Sequence, residues 1–295
     1  MIPLELGGMP FLQVVILAIV QGLAELLPVS SSAHVVVAEK LMGLDPASPP
    51  LTLLLVMLHT GTMFAVIVFF WGRWRRTYFQ SWAAFKRFAG HLIVATALTG
   101  LIGEGIILLI EKTIFRNAPR AQIEDLFGHL EFIAPALGLV GVLIWIAGTF
   151  EKRKPGGDGA ASLSTKQAML IGTVQGLSLP FRGFSRSGAT ISVGLLAGVA
   201  KLRAESFSFA LAVVLTPVVV AREAMRFAQA EHISGLIRLA TVAFPSLLGA
   251  VLSFIAGLVA LRWLSRWLES GRWHYFGIYC LVAAAFVAVL HFEGY

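Results

Sequence analysis

Six apolar stretches, near residues 51–71, 90–110, 131–150, 206–226, 238–261 and 274–292, approach or exceed the roughly 20 residues that cross a hydrocarbon core about 30 Å thick. A chain of 295 residues cannot cover that much apolar surface with one soluble core. The bilayer is therefore the expected solvent, and helices are the expected form, because each helix satisfies its own backbone hydrogen bonds. Composition agrees, with 57% hydrophobic residues, 13% charged residues and a mean hydropathy of +0.82. The first ten residues hold Glu5 but no Lys or Arg, and no small-residue cleavage site follows the apolar run after Pro10, so no removable signal peptide is expected. Cys280, the one cysteine, lies inside the last span, can form no intrachain disulfide, and reads as a small core residue.

The net charge of +7 would suggest nucleic acid in a soluble protein; here its distribution follows the positive-inside rule, and no nucleic-acid partner is expected. Arg73, Arg75, Arg76, Lys86 and Arg87 fill the first long loop. Lys112, Arg116 and Arg120 in the next are offset by Glu111, Glu124 and Asp125. Lys152, Arg153, Lys154 and Lys166 follow the third span, and Arg262, Arg266 and Arg272 precede the last. This alternation assigns 72–89, 151–166 and 262–273 to the cytoplasm, with Gly156, Gly157, Asp158 and Gly159 making the second a flexible linker. Trp71, Trp74, Trp263, Trp267 and Trp273, at segment ends beside Arg, read as interfacial anchors.

Two further apolar stretches, 11–44 and 167–201, are broken by Gly, Pro and polar residues into half-length runs, and each reads as a re-entrant helical hairpin. Val20-Gln21-Gly22-Leu23 recurs as Val174-Gln175-Gly176-Leu177, each followed by Pro and a Ser cluster. Three spans follow each hairpin, and three is odd, so the second copy enters the membrane inverted. The expected architecture is one all-α membrane domain over 1–295. Repeat one runs over 11–150 and repeat two over 167–292, giving about six transmembrane helices, two re-entrant hairpins and an inverted-topology repeat.

The hairpins carry the chemistry. Gln21 and Glu25 are spaced i, i+4 and share a helix face, and an ionisable group at this depth marks a functional site. Pro28 ends the half-helix, and Ser30, Ser31 and Ser32 precede the next, where exposed N–H groups suit an anion; His34 lies in its first turn or so. In the second hairpin Gly183 and Gly188 allow close backbone approach, Ser185, Ser187 and Thr190 supply hydroxyls, and Arg186 supplies a fork for phosphate oxygens. Together these residues describe a site for a diphosphate. Plainer roles stand beside this one: the hydroxyls can bond back to their own helices, and Glu25 with Arg186 can be a buried ion pair that holds the two halves together. His59 is as consistent with the cavity as with a structural place, and Glu104 reads as structural or water-facing.

At these hairpins the sequence resembles the BacA-type undecaprenyl pyrophosphate phosphatases, whose signatures are (E/Q)xxxE with a PVSSxxH run, and PGxSRSxxT. Gln21 to Glu25, Pro28 to His34 and Gly183 to Thr190 meet them, and the resemblance covers essentially the whole chain. It implies removal of the terminal phosphate of undecaprenyl diphosphate for cell-wall lipid recycling, bacitracin resistance, an inner-membrane location with a periplasmic site, and calcium or magnesium as cofactor, for which Glu25 and Gln21 are the candidate ligands. Gln21 stands where many members have Glu, and Arg182 where the signature has Pro, which would bring a second cation to the diphosphate or the lipid. Ser31 is the favoured nucleophile, with Glu25 as its activator and His34 as acid or base; phosphorylation of His34 is the alternative. The expected partners are undecaprenyl diphosphate and bilayer lipids, with a homodimer left open. The rival reading is a transporter or flippase of a lipid phosphate or another anion, since such carriers share broken helices and inverted repeats.

Overall fold

The computed structural model describes residues 5–6, 9–44, 49–113, 129–152, 162–230 and 236–294. Within them the chain is helical apart from a small antiparallel pair, β1 (Glu5–Leu6) with β2 (Met9–Pro10). The helices are α1 (Phe11–Leu26), α2 (Ser31–Leu41), α3 (Pro49–Tyr78), α4 (Trp82–Thr113), α5 (Leu130–Lys152), α6 (Thr165–Ser178), α7 (Arg186–Leu196), α8 (Lys201–Ala230), α9 (Leu236–Glu269) and α10 (His274–Phe292). Five segments are long and apolar enough to cross a membrane: Leu51–Tyr78, Trp82–Thr113, Leu130–Phe150, Ala243–Glu269 and His274–Phe292. They carry five of the six expected spans; the sixth, 206–226, falls on α8, part of whose side chains lies outside the described set. Arg116, Arg120, Glu124, Asp125 and the linker glycines 156, 157 and 159 also lie outside it.

The apolar surface is arranged for lipid. On α4, Ile93, Leu101 and Leu109 are 68%, 72% and 61% exposed, a face that water would not tolerate on one helix. Helix α5 turns the opposite kind of face inward: Leu130, Ile133, Leu137, Val140, Ile144 and Ala147 recur at three- and four-residue intervals and are all buried. That stripe lies between α10 and α7, which both pack on α5.

The half-length helices sit inside this frame. Helix α1 packs on α9, where a Cβ at Gly22 would lie 2.6 Å from the Ala256 Cβ and 2.7 Å from the Ser253 carbonyl oxygen. Helix α6 packs on α4, and a Cβ at Gly176 would lie 2.9 Å from both Ile102 and the Thr99 carbonyl oxygen. Small residues are what allow such crossings in lipid, where helices associate by packing rather than by the hydrophobic effect. The Gln-Gly dipeptides seen twice in sequence thus do the same packing job twice.

Two of the five tryptophans are not interfacial anchors. Trp74 is 6% exposed and its indole donates to the Ser206 hydroxyl at 2.9 Å; Trp273 is fully buried and donates to Ser192 at 3.0 Å. Each N–H found an interhelical hydroxyl, an exchange worth about 0.6 kcal/mol in such bundles, and the ring then fills core space. Glu104 is exposed on α4.

Candidate active site

Helix α1 stops at Leu26 because Pro28 has no N–H to continue it, and the turn 27–30 delivers the chain to α2 through Ser30. Ser30 has φ +69°, the only described residue other than glycine with positive φ, a strain of about 1–3 kcal/mol. The turn sets Ser31 as the first residue of α2, just as Arg186 is the first residue of α7. Ser30 caps α2, accepting from the Ala33 N–H at 3.4 Å, and Ser185 caps α7, accepting from the Gly188 N–H at 3.2 Å.

The two turns are in contact. The Gly183 N–H donates to the Ser32 hydroxyl at 3.4 Å, and the Ser187 hydroxyl donates to the Leu27 carbonyl at 3.4 Å. Gly183 itself needs its φ of +99°. A Cβ at Gly188 would lie 3.2 Å from the Pro28 carbonyl oxygen and 2.7 Å from Ile144.

Glu25 is the hub. Its Oε1 accepts from Arg186 Nη2 at 2.7 Å across the two hairpins, and its Oε2 accepts from the Ser31 hydroxyl at 2.5 Å and from Gln21 Nε2 at 3.1 Å. His59 of α3 completes the group, with Nδ1 3.3 Å from Gln21 Nε2 and Nε2 3.9 Å from Glu25. Nδ1 is also 3.0 Å from the Leu55 carbonyl; since one nitrogen cannot both donate there and accept from Gln21, the two contacts belong to different tautomers. The side chains of Glu25 and Arg186 are 12% and 24% exposed, so the pair is screened but reachable. Arg186 spends one of its five donors on Glu25, which leaves others for an incoming anion.

His34 stands one step away. Its Nδ1 is 2.8 Å from the Ser30 carbonyl, which can only accept, so Nδ1 carries a proton; Nε2 then meets the Tyr279 hydroxyl at 2.7 Å, and the two rings stack. This pair lines a cleft of about 390 Å³ with Leu23, Leu27, Trp263 and Trp267, so the tryptophans expected at an interface serve as its walls. Thr190 is fully buried, donates to the Arg186 carbonyl at 2.8 Å and shares a 2.5 Å bond with Ser208. Arg182 is a cationic neighbour of Glu39 of α2, a buried carboxyl whose Oε1 has no hydrogen bond among the described residues. Cys280 is buried and donates to the Pro28 carbonyl at 3.4 Å, holding the tip of the first hairpin.

The structure thus brings together Gln21, Glu25, Ser31, Arg186 and His59 around one carboxylate, and sets His34 beside it on the greasy side. Tyr279 was missed; its only signal was a phenol inside an apolar span, where a buried hydroxyl needs a partner. For a divalent cation the donors fit in kind, since Glu25, the Gln21 amide and the serines are hard oxygens, but no group of three His, Cys, Asp or Glu side chains is found among the described residues.

These features define a multi-pass membrane protein with a Ser–Glu–Arg centre built from two helix starts. The family model described as bacitracin resistance protein BacA matches residues 14–286, and the chain belongs to that family. Among curated relatives, "Undecaprenyl-diphosphatase 2" of Acinetobacter baylyi is 52% identical over 286 residues, covering 96% of this chain and 99% of its own length. "Undecaprenyl-diphosphatase 2" of Burkholderia ambifaria is 34% identical, and "Undecaprenyl-diphosphatase 1" of Burkholderia pseudomallei 35% identical, each covering 92% of this chain and 94% of its own length.

Proposed function

We propose that this chain is an undecaprenyl-diphosphatase that hydrolyses the lipid carrier diphosphate to the monophosphate plus phosphate, and that it confers bacitracin resistance as its family's description states. The observation that carries the reading is the Glu25 carboxylate held between the Ser31 hydroxyl and the Arg186 guanidinium at the start of two helices. A phosphoryl transfer needs a nucleophile and charge neutralisation on the transferred group, and these are the groups that supply them.

In this mechanism the diphosphate lies against Arg186 and the N-termini of α2 and α7, with its prenyl chain leaving through the cleft walled by Trp263, Trp267 and Tyr279. Ser31 Oγ attacks the terminal phosphorus as its proton passes to Glu25. The Ser31 Oγ–P bond forms, the bond from phosphorus to the bridging oxygen breaks, and undecaprenyl phosphate leaves. Water then attacks the phosphoserine, inorganic phosphate leaves, and Ser31 recovers its proton. His34, on the prenyl side, meets the leaving lipid phosphate, which is already a good leaving group. For His34 to be the nucleophile instead, Nε2 would first have to give up Tyr279. A bound calcium or magnesium ion would take Glu25, Gln21 and oxygens of the diphosphate as ligands, and would supply charge neutralisation on the phosphoryl oxygens.

The same reading makes α1–α2 and α6–α7 re-entrant hairpins of an inverted repeat in the inner membrane, with the site open to the periplasm. The exchange of partners, α1 on α9 and α6 on α4, supports it, as does the alternation of basic loops. A carrier of lipid phosphate would need the grip of Arg186 but no acceptor of phosphate. Rapid quenching with lipid labelled in its terminal phosphate separates these: label on Ser31 is expected, label on His34 reverses the two roles, and intact lipid moved across vesicles without hydrolysis favours a carrier.

A further inference from the structure

A second recess lies at the other end of α3. Tyr78, Arg87, Phe88, His91, Ser162 and Arg203 line a cavity of about 200 Å³, where the α3–α4 turn meets the approach to α6 and the first turn of α8. From His59 to Thr77 is 18 residues of helix, about 27 Å at 1.5 Å per residue, so this recess is separate from the Glu25 centre.

Its floor is rigid and aromatic. Tyr78 and Phe88 stack at 3.8 Å, and Phe207 meets Phe88 edge-on. Over this floor stand two guanidiniums, Arg87 and Arg203, with His91, whose Nε2 contacts the Thr165 hydroxyl at 3.3 Å and ties the start of α6 to the rim. The remaining polar groups, Thr77, Tyr78, Gln80 and Ser162, can all donate hydrogen bonds. Among the described residues no Asp or Glu lines the recess. The nearest carboxylate in the sequence of α8, Glu205, is taken by Arg73 and Ser265. Two guanidiniums without a carboxylate, in a pocket of donors, suit an anion, and the planar forks suit phosphate oxygens above other anions.

We propose that this recess is a second phosphate-binding site, accepting the phosphate of an anionic lipid headgroup or free inorganic phosphate. The aromatic floor suits the start of the acyl chains of a lipid, and the guanidiniums and other donors hold the charged end. Among the described residues it offers no hydroxyl beside a carboxylate, unlike the Glu25 centre, and its role in this proposal is binding.

The test uses the full chain in nanodiscs of phosphatidylcholine, with phosphatidic acid added in one arm and inorganic phosphate in the other. Retained lipid is read by native mass spectrometry, and phosphate by its effect on thermal unfolding. An Arg186→Ala background weakens the first site, and binding that responds to Arg87 and Arg203 in that background belongs to the recess. The double variant Arg87→Gln/Arg203→Gln is expected to weaken binding at least about tenfold. Gln80→Glu, which changes one rim atom and leaves the fold alone, is expected to weaken it in the same direction. Loss confined to phosphatidic acid identifies a lipid site, and loss confined to inorganic phosphate a site for the free ion. Equal binding of both probes by the parent, the double variant and Gln80→Glu would overturn the proposal.

Discussion

Two carboxylates in this molecule, one partly and one fully buried, have the same companions. Glu25 accepts from Ser31 at 2.5 Å and Arg186 at 2.7 Å; Glu205 accepts from Ser265 at 2.5 Å and Arg73 at 2.9 Å. The trio of Ser, Glu and Arg is therefore no evidence of catalysis by itself. What differs is placement. Ser31 and Arg186 are the first residues of α2 and α7, where the caps take only the Ala33 and Gly188 N–H groups and the positive helix ends still suit an anion. Arg73 and Ser265 lie near the C-terminal ends of α3 and α9, away from any helix start, and the Glu205 side chain is fully buried against 12% exposure for Glu25. One trio stands at the two helix starts where the proposed diphosphate lies, and the other ties α3, α8 and α9 together.

Swapping the carboxylate for its amide in each trio gives the largest contrast. Glu25→Gln is expected to lower phosphate release on the order of 10³-fold or more with little change in thermal unfolding. Glu205→Gln is expected to leave turnover of the folded protein within about twofold, and to cost about 1–3 kcal/mol of stability, because in a fully buried place the amide puts an NH2 donor where one of the oxygens accepts from Ser265 or Arg73. Equal losses of activity from both would dissolve the distinction.

Arg186→Lys comes next. One ammonium cannot serve Glu25 and two phosphate oxygens as a planar fork does, so kcat is expected to fall about 10²-fold while the charge and fold persist. Near-normal kcat in the Lys variant would remove Arg186 from the transition state.

Smaller effects should come from the prenyl side. Tyr279→Phe removes the hydroxyl on His34 Nε2 but keeps the stacked ring, and is expected to lower kcat about fivefold, with no further loss when combined with His34→Ala. Additive losses would mean that Tyr279 acts independently of His34. The smallest effect is expected at Gln21→Glu, which adds a hard oxygen ligand, keeps activity and shifts the divalent-ion titration to lower concentration. Loss of turnover in this variant, with the fold intact, would assign the amide N–H to Glu25 a specific task.

Much of this was legible in the sequence because its signals are local. The breaks after Leu26 and Ser178 were marked by Pro and Ser clusters, the i, i+4 spacing put Gln21 on the face of Glu25, and the only Arg in the second motif's Ser cluster was the one that crosses to it. The contacts that were not legible are long in sequence and ordinary in type. Tyr279 is 245 residues from His34, Ser265 is 60 from Glu205, and His59 could be read either way because nothing in α3 marks which face meets α1. Trp74 and Trp273 misled for the same reason: a Trp beside Arg looks alike at an interface and in a core, and only the hydroxyls of Ser206 and Ser192 decide it.

The most direct test of the Ser31–Glu25 unit is a double-variant cycle on phosphate release from undecaprenyl diphosphate, with binding of the intact lipid measured alongside. Ser31→Ala and Glu25→Gln remove the two ends of one 2.5 Å hydrogen bond, so each is expected to abolish release and the pair to be little worse than either alone, while the lipid still binds through Arg186 and the helix ends. Losses that multiply, or a Ser31→Ala protein that still releases phosphate, would contradict the assignment of Ser31 as nucleophile and Glu25 as its activator.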